Sequence, residues 1–347
     1  MDNHTLSLDD LKEKIAIIWP EPSDKMNLVP LAGDASTRRY YRVSEEGFKT
    51  LGRHLIVMQL EKPQPNTSID FIVLTEFLMK LGMPVPKLYY YDEEKGFLYL
   101  EDFGDLLLQD IVDSLTNREE KSKWYQKAIK LLAELQIQGG KNSDQSCPAF
   151  TRYFDLEKLM WEMDFMIAHF LQNLRDCRLE QEDIEEIRGV LIPLCQKLAD
   201  QERCFTHRDF HSRNIMALDG SLKIIDFQDA RLGPRQYDLV SLLKDSYVEL
   251  DDALVDEMID YFIDCLEDAG IKKIDRSAFK QIFDLMSIQR NLKAIGTFAY
   301  QKAQKKNDRY LADIPRTLNY VKKALALRPD LVDLKTILVK YIPEIAS

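Results

Sequence analysis

Apolar residues recur along the chain with two different periods, and the change from one to the other divides it. Leu6 to Ile18 carries apolar positions at helical spacing, with Ser7 as the expected N-cap ahead of Asp9 and Asp10, and Trp19-Pro20 ends the helix. Short apolar runs follow. Leu28–Val43 reads as strand, tight turn at Gly33 and strand, and His54–Leu60, Pro84–Tyr91 and Gly96–Glu101 read as three more strands. One amphipathic helix, Ile69–Leu81 with Ser68 as its cap, interrupts them. From Asp105 onward the spacing becomes helical. Lys121–Gln138 places Trp124, Ala128, Leu131, Leu132 and Leu135 on one stripe and stops before Gly139-Gly140. Tyr153–Leu174, Glu182–Glu202, Tyr237–Tyr247, Ala253–Ala269, Ser277–Gln304, Tyr310–Leu327 and Leu331–Ile345 continue the pattern. The expected architecture is α+β and bilobal, with a small β-rich lobe over 1–103 and a large, mostly helical lobe over 104–347.

One stretch of the helical half has strand character, and the polar residues gather around it. Asn214–Leu218 and Leu222–Ile225 flank Asp219-Gly220, a two-residue hairpin signal. Such a hairpin places Asn214, ahead of its first strand, beside Asp226, which follows its second. Asp209 lies five residues before Asn214, in the loop that leads into the hairpin. Three oxygen-bearing side chains are therefore expected at one edge. Asp and Asn are common turn residues, so a polar loop would account for each of them singly. It does not account for their fixed order.

Composition changes this picture mainly by exclusion. At 347 residues the chain suits two lobes with a large core. A formal net charge of −11 disfavours nucleic acid or an anionic membrane as partner. The five cysteines (Cys147, Cys177, Cys195, Cys204 and Cys265) lack metal spacing and read as reduced thiols. The opening residues M-D-N-H-T-L-S-L-D-D are acidic, with no hydrophobic signal region, and no apolar run approaches a membrane span. A cytoplasmic protein is expected, and a monomer is compatible with these features.

The hairpin residues suit one chemistry in particular. An amide oxygen and a carboxylate are hard ligands for Mg²⁺, and a further carboxylate can take the proton of an attacking hydroxyl. The spacing H-R-D-x-x-x-x-N, followed twelve residues after the Asn by D-F, resembles the catalytic loop and metal motif of the protein-kinase-like fold. Here the motif reads His207-Arg208-Asp209, Asn214 and Asp226-Phe227-Gln228. The resemblance implies ATP as donor, Asp209 as the catalytic carboxylate, and Asn214 and Asp226 as Mg²⁺ ligands. It implies support from His207, and Asp238 bracing the loop from the start of its helix. Only eleven residues separate Asp226 from Asp238, with no Ser or Thr among them, which disfavours a protein substrate. The run G-P-R-Q-Y-D-L-V-S-L-L that closes this interval is similar to the aminoglycoside phosphotransferase and choline kinase superfamily, whose members phosphorylate small molecules.

The remaining assignments follow from that resemblance. Gly33, Ser36, Thr37 and Arg38 offer backbone, hydroxyl and guanidinium groups to phosphates, although an ordinary hairpin would show the same local pattern. Glu101 to Phe103 resemble the hinge that meets adenine. The third strand carries Met58 and Gln59 where the superfamily has a lysine, so Arg38, Arg39 and Arg42 are the candidate replacements. Glu76 stands where a helix glutamate would pair with that lysine, or on a solvated face. G-D-A-S-T-R-R-Y-Y-R and Q-R-N-L-K-A-I-G-T-F-A look like the anomeric kinases of the cell-wall amino sugars N-acetylmuramate and N-acetylglucosamine. That likeness implies a sugar acceptor, with Arg290 and Lys293 for a lactyl carboxylate and Asn291 or Gln289 for polar sugar groups. A surface helix with ordinary basic residues would look alike. His211, Gln228 and Asp229 lie nearer the expected acceptor, and Arg208 suits a local ion pair. His169 reads as a packed histidine. The alternatives are a kinase of another small hydroxyl compound (an aminoglycoside, choline or another sugar) and a nucleotide-binding pseudokinase.

Overall fold

The computed structural model describes residues 6–19, 25–31, 38–45, 53–65, 69–142, 144 and 146–346. Gly33, Ser36, Thr37 and Ser68 lie outside them. The chain divides into two compact units, Met1–Asp105 with Lys223–Gln228, and Leu106–Leu222 with Asp229–Ser347.

In the first unit, β1 (Met26–Leu31), β2 (Arg39–Glu45), β3 (Arg53–Gln59), β4 (Leu88–Asp92) and β5 (Phe97–Glu101) form one antiparallel sheet in the order β1-β2-β3-β5-β4. Register explains its core. Val57 faces Tyr41 on one side and Tyr99 on the other, so strand alternation puts these residues on one face. Helix α1 (Leu8–Ile18) covers that face with Leu11, Ile15 and Trp19. The opposite parity, Met58 and Leu98, is fully buried too, so the sheet's centre is covered on both faces. The expected cap of α1 is present: Asp10 N–H donates to Ser7 Oγ at 3.4 Å, and Ser7 N–H donates to Asp10 Oδ2 at 3.0 Å. Helix α2 (Asp70–Lys80) exposes Glu76, which settles on the solvated face.

The segment Lys223–Gln228, expected with the helical part, groups with the sheet for identifiable reasons. Ile224 N–H donates to Pro84 O at 2.9 Å, and the Phe227 ring stacks on Phe71 of α2 at 5.1 Å.

The second unit is helical: α3 (Leu108–Ser114), α4 (Arg118–Lys141), α5 (Leu156–Met166), α6 (Gln181–Ala199), α7 (Gln236–Leu243), α8 (Asp252–Asp268), α9 (Arg276–Lys305), α10 (Ile314–Ala326) and α11 (Val332–Tyr341). The helix expected over Tyr153–Leu174 is two pieces, α5 and a π-helical stretch Ile167–Leu174. Helix α3 and two short paired strands, β6 (Arg203–Thr206) and β9 (Arg231–Pro234), were not legible in the periodicity. The hairpin is as expected: β7 (Ile215–Leu218) pairs with β8 (Ser221–Ile224). Asp219 and Gly220 both have positive φ, +50° and +74°, as a type I′ turn requires.

Helix α9 is the axis of this unit. Helices α5, α7 and α10 and the π-helical stretch all pack against it, and its buried positions run all the way round. Gly296 permits the close approach of α5: a Cβ there would lie 2.7 Å from Met166 Cα. No helix among the described residues is long and apolar enough to cross a membrane.

Candidate active site

The loop after β6 is held in an unusual backbone conformation. Arg208 has φ +84°, a region that L side chains rarely adopt. The clamp is Asp238 in the first turn of α7. Its buried carboxylate accepts His207 N–H at 2.6 Å and Arg208 N–H at 2.9 Å. Burial raises the Asp238 pKa from 3.8 to about 7, against the two backbone hydrogen bonds that lower it. Asp209 N–H donates to His207 Nδ1 at 3.3 Å. His207, itself buried, shapes the loop.

The same loop closes on itself. Asn214 Nδ2 donates to the Asp209 carbonyl at 2.9 Å, which orients the side-chain amide. Ser212 N–H donates to Asp245 Oδ2 at 2.9 Å, and Arg213 stacks on the Tyr247 ring at 3.6 Å. His211 lies edge-on to Tyr247, and burial pushes its imidazole pKa down.

Cations surround Asp209. Lys293 Nζ on α9 donates to Asp209 Oδ1 at 3.2 Å, and Arg208 Nη1 lies 3.9 Å from Oδ2. Burial alone would raise the Asp209 pKa. Lys293, Arg208, His211 and Arg290 outweigh it and hold the carboxyl well below the usual carboxylate range. Arg208 makes its shorter pair, 2.8 Å, with Asp229 Oδ2, the local ion pair expected of it. Asp229 is thereby engaged with the loop. The pairing follows from β6 and β9, which set Thr206 opposite Arg231.

Helix α9 corrects the sequence reading in three ways. Residues 289–291 are buried, with Arg290 only 4 % exposed, so this is not a surface helix. Asn291 turns inward: Nδ2 donates to Ser287 O at 2.8 Å and to Ser287 Oγ at 3.1 Å. Gln289 likewise donates to Glu162 Oε2 at 3.0 Å. Glu162 and Lys158 of α5 were not anticipated as neighbours of the loop. The signal for Glu162 was present, because it lies in the buried stripe with Leu159, Met163 and Met166. Burial pulls the Lys158 pKa down to about 8. His169 packs against Phe165 and Tyr300, as expected.

The first unit holds the other candidates. Asp226 has φ +65°, and Gln228 Nε2 donates to its Oδ1 at 2.7 Å. Tyr40, raised by burial, is also acted on by Arg38 and by Asp226, so these two charged groups share a neighbourhood. Arg42 is not available to phosphates. It bonds to Asp102 at 2.6 Å, to Asp105 at 2.7 Å and to the Gly104 carbonyl at 2.9 Å, bracing the turn after β5. Gly104 adopts φ +80° there, which explains the glycine. Glu101 ends β5, its N–H on the Lys87 carbonyl and its Oε2 accepting Lys87 N–H at 3.2 Å, and Phe103 is buried. Asp226 of this unit offers a carboxylate and Asn214 of the helical unit an amide oxygen, each by itself a hard oxygen ligand of the kind Mg²⁺ takes.

A sheet-bearing unit and a helical unit that carries an H-R-D-x-x-x-x-N loop define a kinase-like phosphotransferase. The model of the phosphotransferase enzyme family matches residues 27–270, and the chain belongs to that family. It is 30 % identical over 312 residues to the N-acetylmuramate/N-acetylglucosamine kinase of Pseudomonas aeruginosa, covering 90 % of this chain and 87 % of that one. Against the enzyme of the same name from Neisseria meningitidis it is 27 % identical over 334 residues, 96 % and 95 % of the two chains. Among solved structures it resembles a choline kinase from Cryptosporidium parvum, with TM-score 0.65 at 11 % identity over 95 % of this chain and 99 % of that one. It also resembles the ADP-bound aminoglycoside phosphotransferase APH(2'')-Ib, with TM-score 0.60 at 16 % identity over 90 % and 97 %. The chain is an ATP-dependent kinase that acts on a hydroxyl acceptor.

Proposed function

We propose that this kinase phosphorylates the anomeric hydroxyl of N-acetylmuramate or N-acetylglucosamine, as a cytoplasmic step in recycling cell-wall amino sugars. The observation that carries the acceptor class is the cationic surround of Asp209. Lys293 and Arg208 lie within 3.2 and 3.9 Å of its two oxygens, and Arg290 adds to the same field. Choline and aminoglycosides are cations and would be repelled there. A neutral or anionic sugar would not. The names of the relatives supply the particular sugars.

In this reading Asp209 orients the acceptor hydroxyl and takes its proton. The sugar oxygen bonds to the γ-phosphorus as the bond to the β-phosphate oxygen breaks, and ADP leaves. Asn214 and Asp226 would hold Mg²⁺, which neutralises phosphate charge when bound. Arg38, with Gly33, Ser36 and Thr37 ahead of it, supplies the phosphate contacts, and the backbone from Glu101 to Phe103 meets the adenine. Asp238 and His207 keep the loop in shape. Positioning and electrostatics supply most of the acceleration in such transfers. The test is ADP release with Mg²⁺-ATP and a panel of N-acetylglucosamine, N-acetylmuramate, glucose, choline and kanamycin. Turnover of the two amino sugars is expected. Preference for choline or kanamycin would overturn the reading.

A further inference from the structure

Arg290 presents an unusual problem. Its side chain is 4 % exposed and its Nε is buried, yet it has no hydrogen bond or ion pair among the described residues. A guanidinium carries five donors, and leaving even the buried Nε–H unmet in the interior is unfavourable. Two of the acidic groups around it are already matched. Asp209 bonds Lys293, and Asp238 takes two backbone N–H groups. Glu162 accepts from Gln289 through Oε2, while its buried Oε1 lies 4.0 Å from Lys158 and accepts no hydrogen bond; Arg290 does not reach it either. The charge of Arg290 nevertheless acts on Asp209, His211 and Asp238, so it sits at the catalytic loop.

Lys293 is one turn further along α9, on the same face. Its ammonium has three donors, of which the bond to Asp209 uses one. Arg290 and Lys293 together thus hold spare donors and spare positive charge beside the carboxylate that faces the acceptor. The missing partner is an anion.

We propose that Arg290 and Lys293 form the seat of the transferred phosphoryl group, holding it as it arrives on the sugar oxygen and as the sugar phosphate leaves. This rests on the kinase reading above, and it reassigns both residues from the lactyl carboxylate that the sequence pointed to. Two considerations favour phosphate. Lys293 contacts Asp209 itself, and the group that must approach the acceptor oxygen at that carboxylate is the phosphoryl. N-acetylglucosamine has no carboxylate, whereas every acceptor of this reaction receives a phosphoryl group. A tetrahedral dianion also has enough oxygens for both cations, and Arg–phosphate pairing is commonly bidentate.

The experiment compares wild type, Arg290→Met, Arg290→Lys and Lys293→Met by calorimetric titration with N-acetylglucosamine, N-acetylmuramate and N-acetylglucosamine 1-phosphate, alongside kcat. The seat predicts that Arg290→Met loses on the order of 10- to 100-fold in affinity for the sugar phosphate. The kcat should fall, both free sugars should bind within about threefold of wild type, and Arg290→Lys should recover part of the loss. Selective loss of N-acetylmuramate would return the pair to carboxylate binding and overturn the proposal. A lower melting temperature with unchanged sugar-phosphate affinity would make Arg290 a structural counter-charge to Asp238 and also overturn it. Should Arg290→Met fail to fold, Lys293→Met decides by the same readouts. Wild type that binds neither sugar would refute the amino-sugar reading alone. The seat is then tested with orthovanadate and Mg²⁺-ADP, which should raise the melting temperature of wild type and not of Lys293→Met. Equal protection of both would overturn it.

Discussion

Replacing Asp238 by Asn should separate activity from stability, and the structure gives the size of both effects. Raising this buried carboxyl from 3.8 to about 7 corresponds to about 4 kcal/mol by which burial disfavours its ionised form. The amide removes that burden. It also keeps only one acceptor for two N–H groups, at 2.6 and 2.9 Å, and leaving one buried donor unmet costs about 1–3 kcal/mol. The difference leaves the variant about 1–3 kcal/mol more stable, which urea unfolding at pH 8 should show. Activity should not be spared, because the left-handed backbone at Arg208 loses its clamp and Asp209 is the next residue. The pH dependence carries the sign. The folded state holds its proton more tightly than the unfolded chain, so this stabilising contribution is full below about pH 4 and is lost as pH rises through about 7. The clamp needs the ionised form, so kcat should rise over the same interval. Wild type should therefore gain activity and lose stability, relative to Asp238→Asn, as pH goes from 5 to 8. A variant within threefold of wild-type kcat at pH 8, or a wild type that gains stability relative to Asp238→Asn as pH rises, would refute the reasoning.

Arg38→Ala should raise the KM for ATP and lower kcat, whereas Met58→Ala, which empties a fully buried site, should cost about 2–5 kcal/mol of stability with catalysis of the folded protein retained. Steady-state kinetics and urea titration distinguish them. Asp209→Asn should still bind Mg²⁺ with a non-hydrolysable ATP analogue while kcat falls by about 10²–10⁴-fold, and Asp226→Asn should lose nucleotide affinity as well. Equal loss in both by calorimetry would mean the two carboxylates are wrongly assigned. Gly296→Ala should lower the melting temperature, since its Cβ would meet Met166 Cα at 2.7 Å and the two helices must part, at a cost of about 1–3 kcal/mol.

The sequence carried the local part of this site and not the part made by packing. Asp219-Gly220 specifies its own turn, and the spacing from His207 to Asp226 is a one-dimensional signature. Both were legible, as was the brace expected of Asp238. The surroundings of Asp209 were not, because Lys293 is 84 residues away and reaches it only when α9 is enclosed by α5, α7 and α10. That enclosure is also why Arg290 and Asn291, read as acceptor ligands or else as residues of a surface helix, are buried. Arg42 looked like a phosphate ligand until Asp102 and Asp105 met it across about 60 residues of sequence. Strands β6 and β9 are four residues each, too short for periodicity to register.

The central claim is that the acceptor is the anomeric hydroxyl of an amino sugar. The most direct measurement is phosphorus–proton correlation NMR of the product formed from N-acetylglucosamine and Mg²⁺-ATP, with the 1-O-methyl glycoside run in parallel. The account predicts phosphorus coupled to the C1 proton and no turnover of the methyl glycoside. Coupling to any other ring or C6 proton, or phosphorylation of the methyl glycoside, would contradict it.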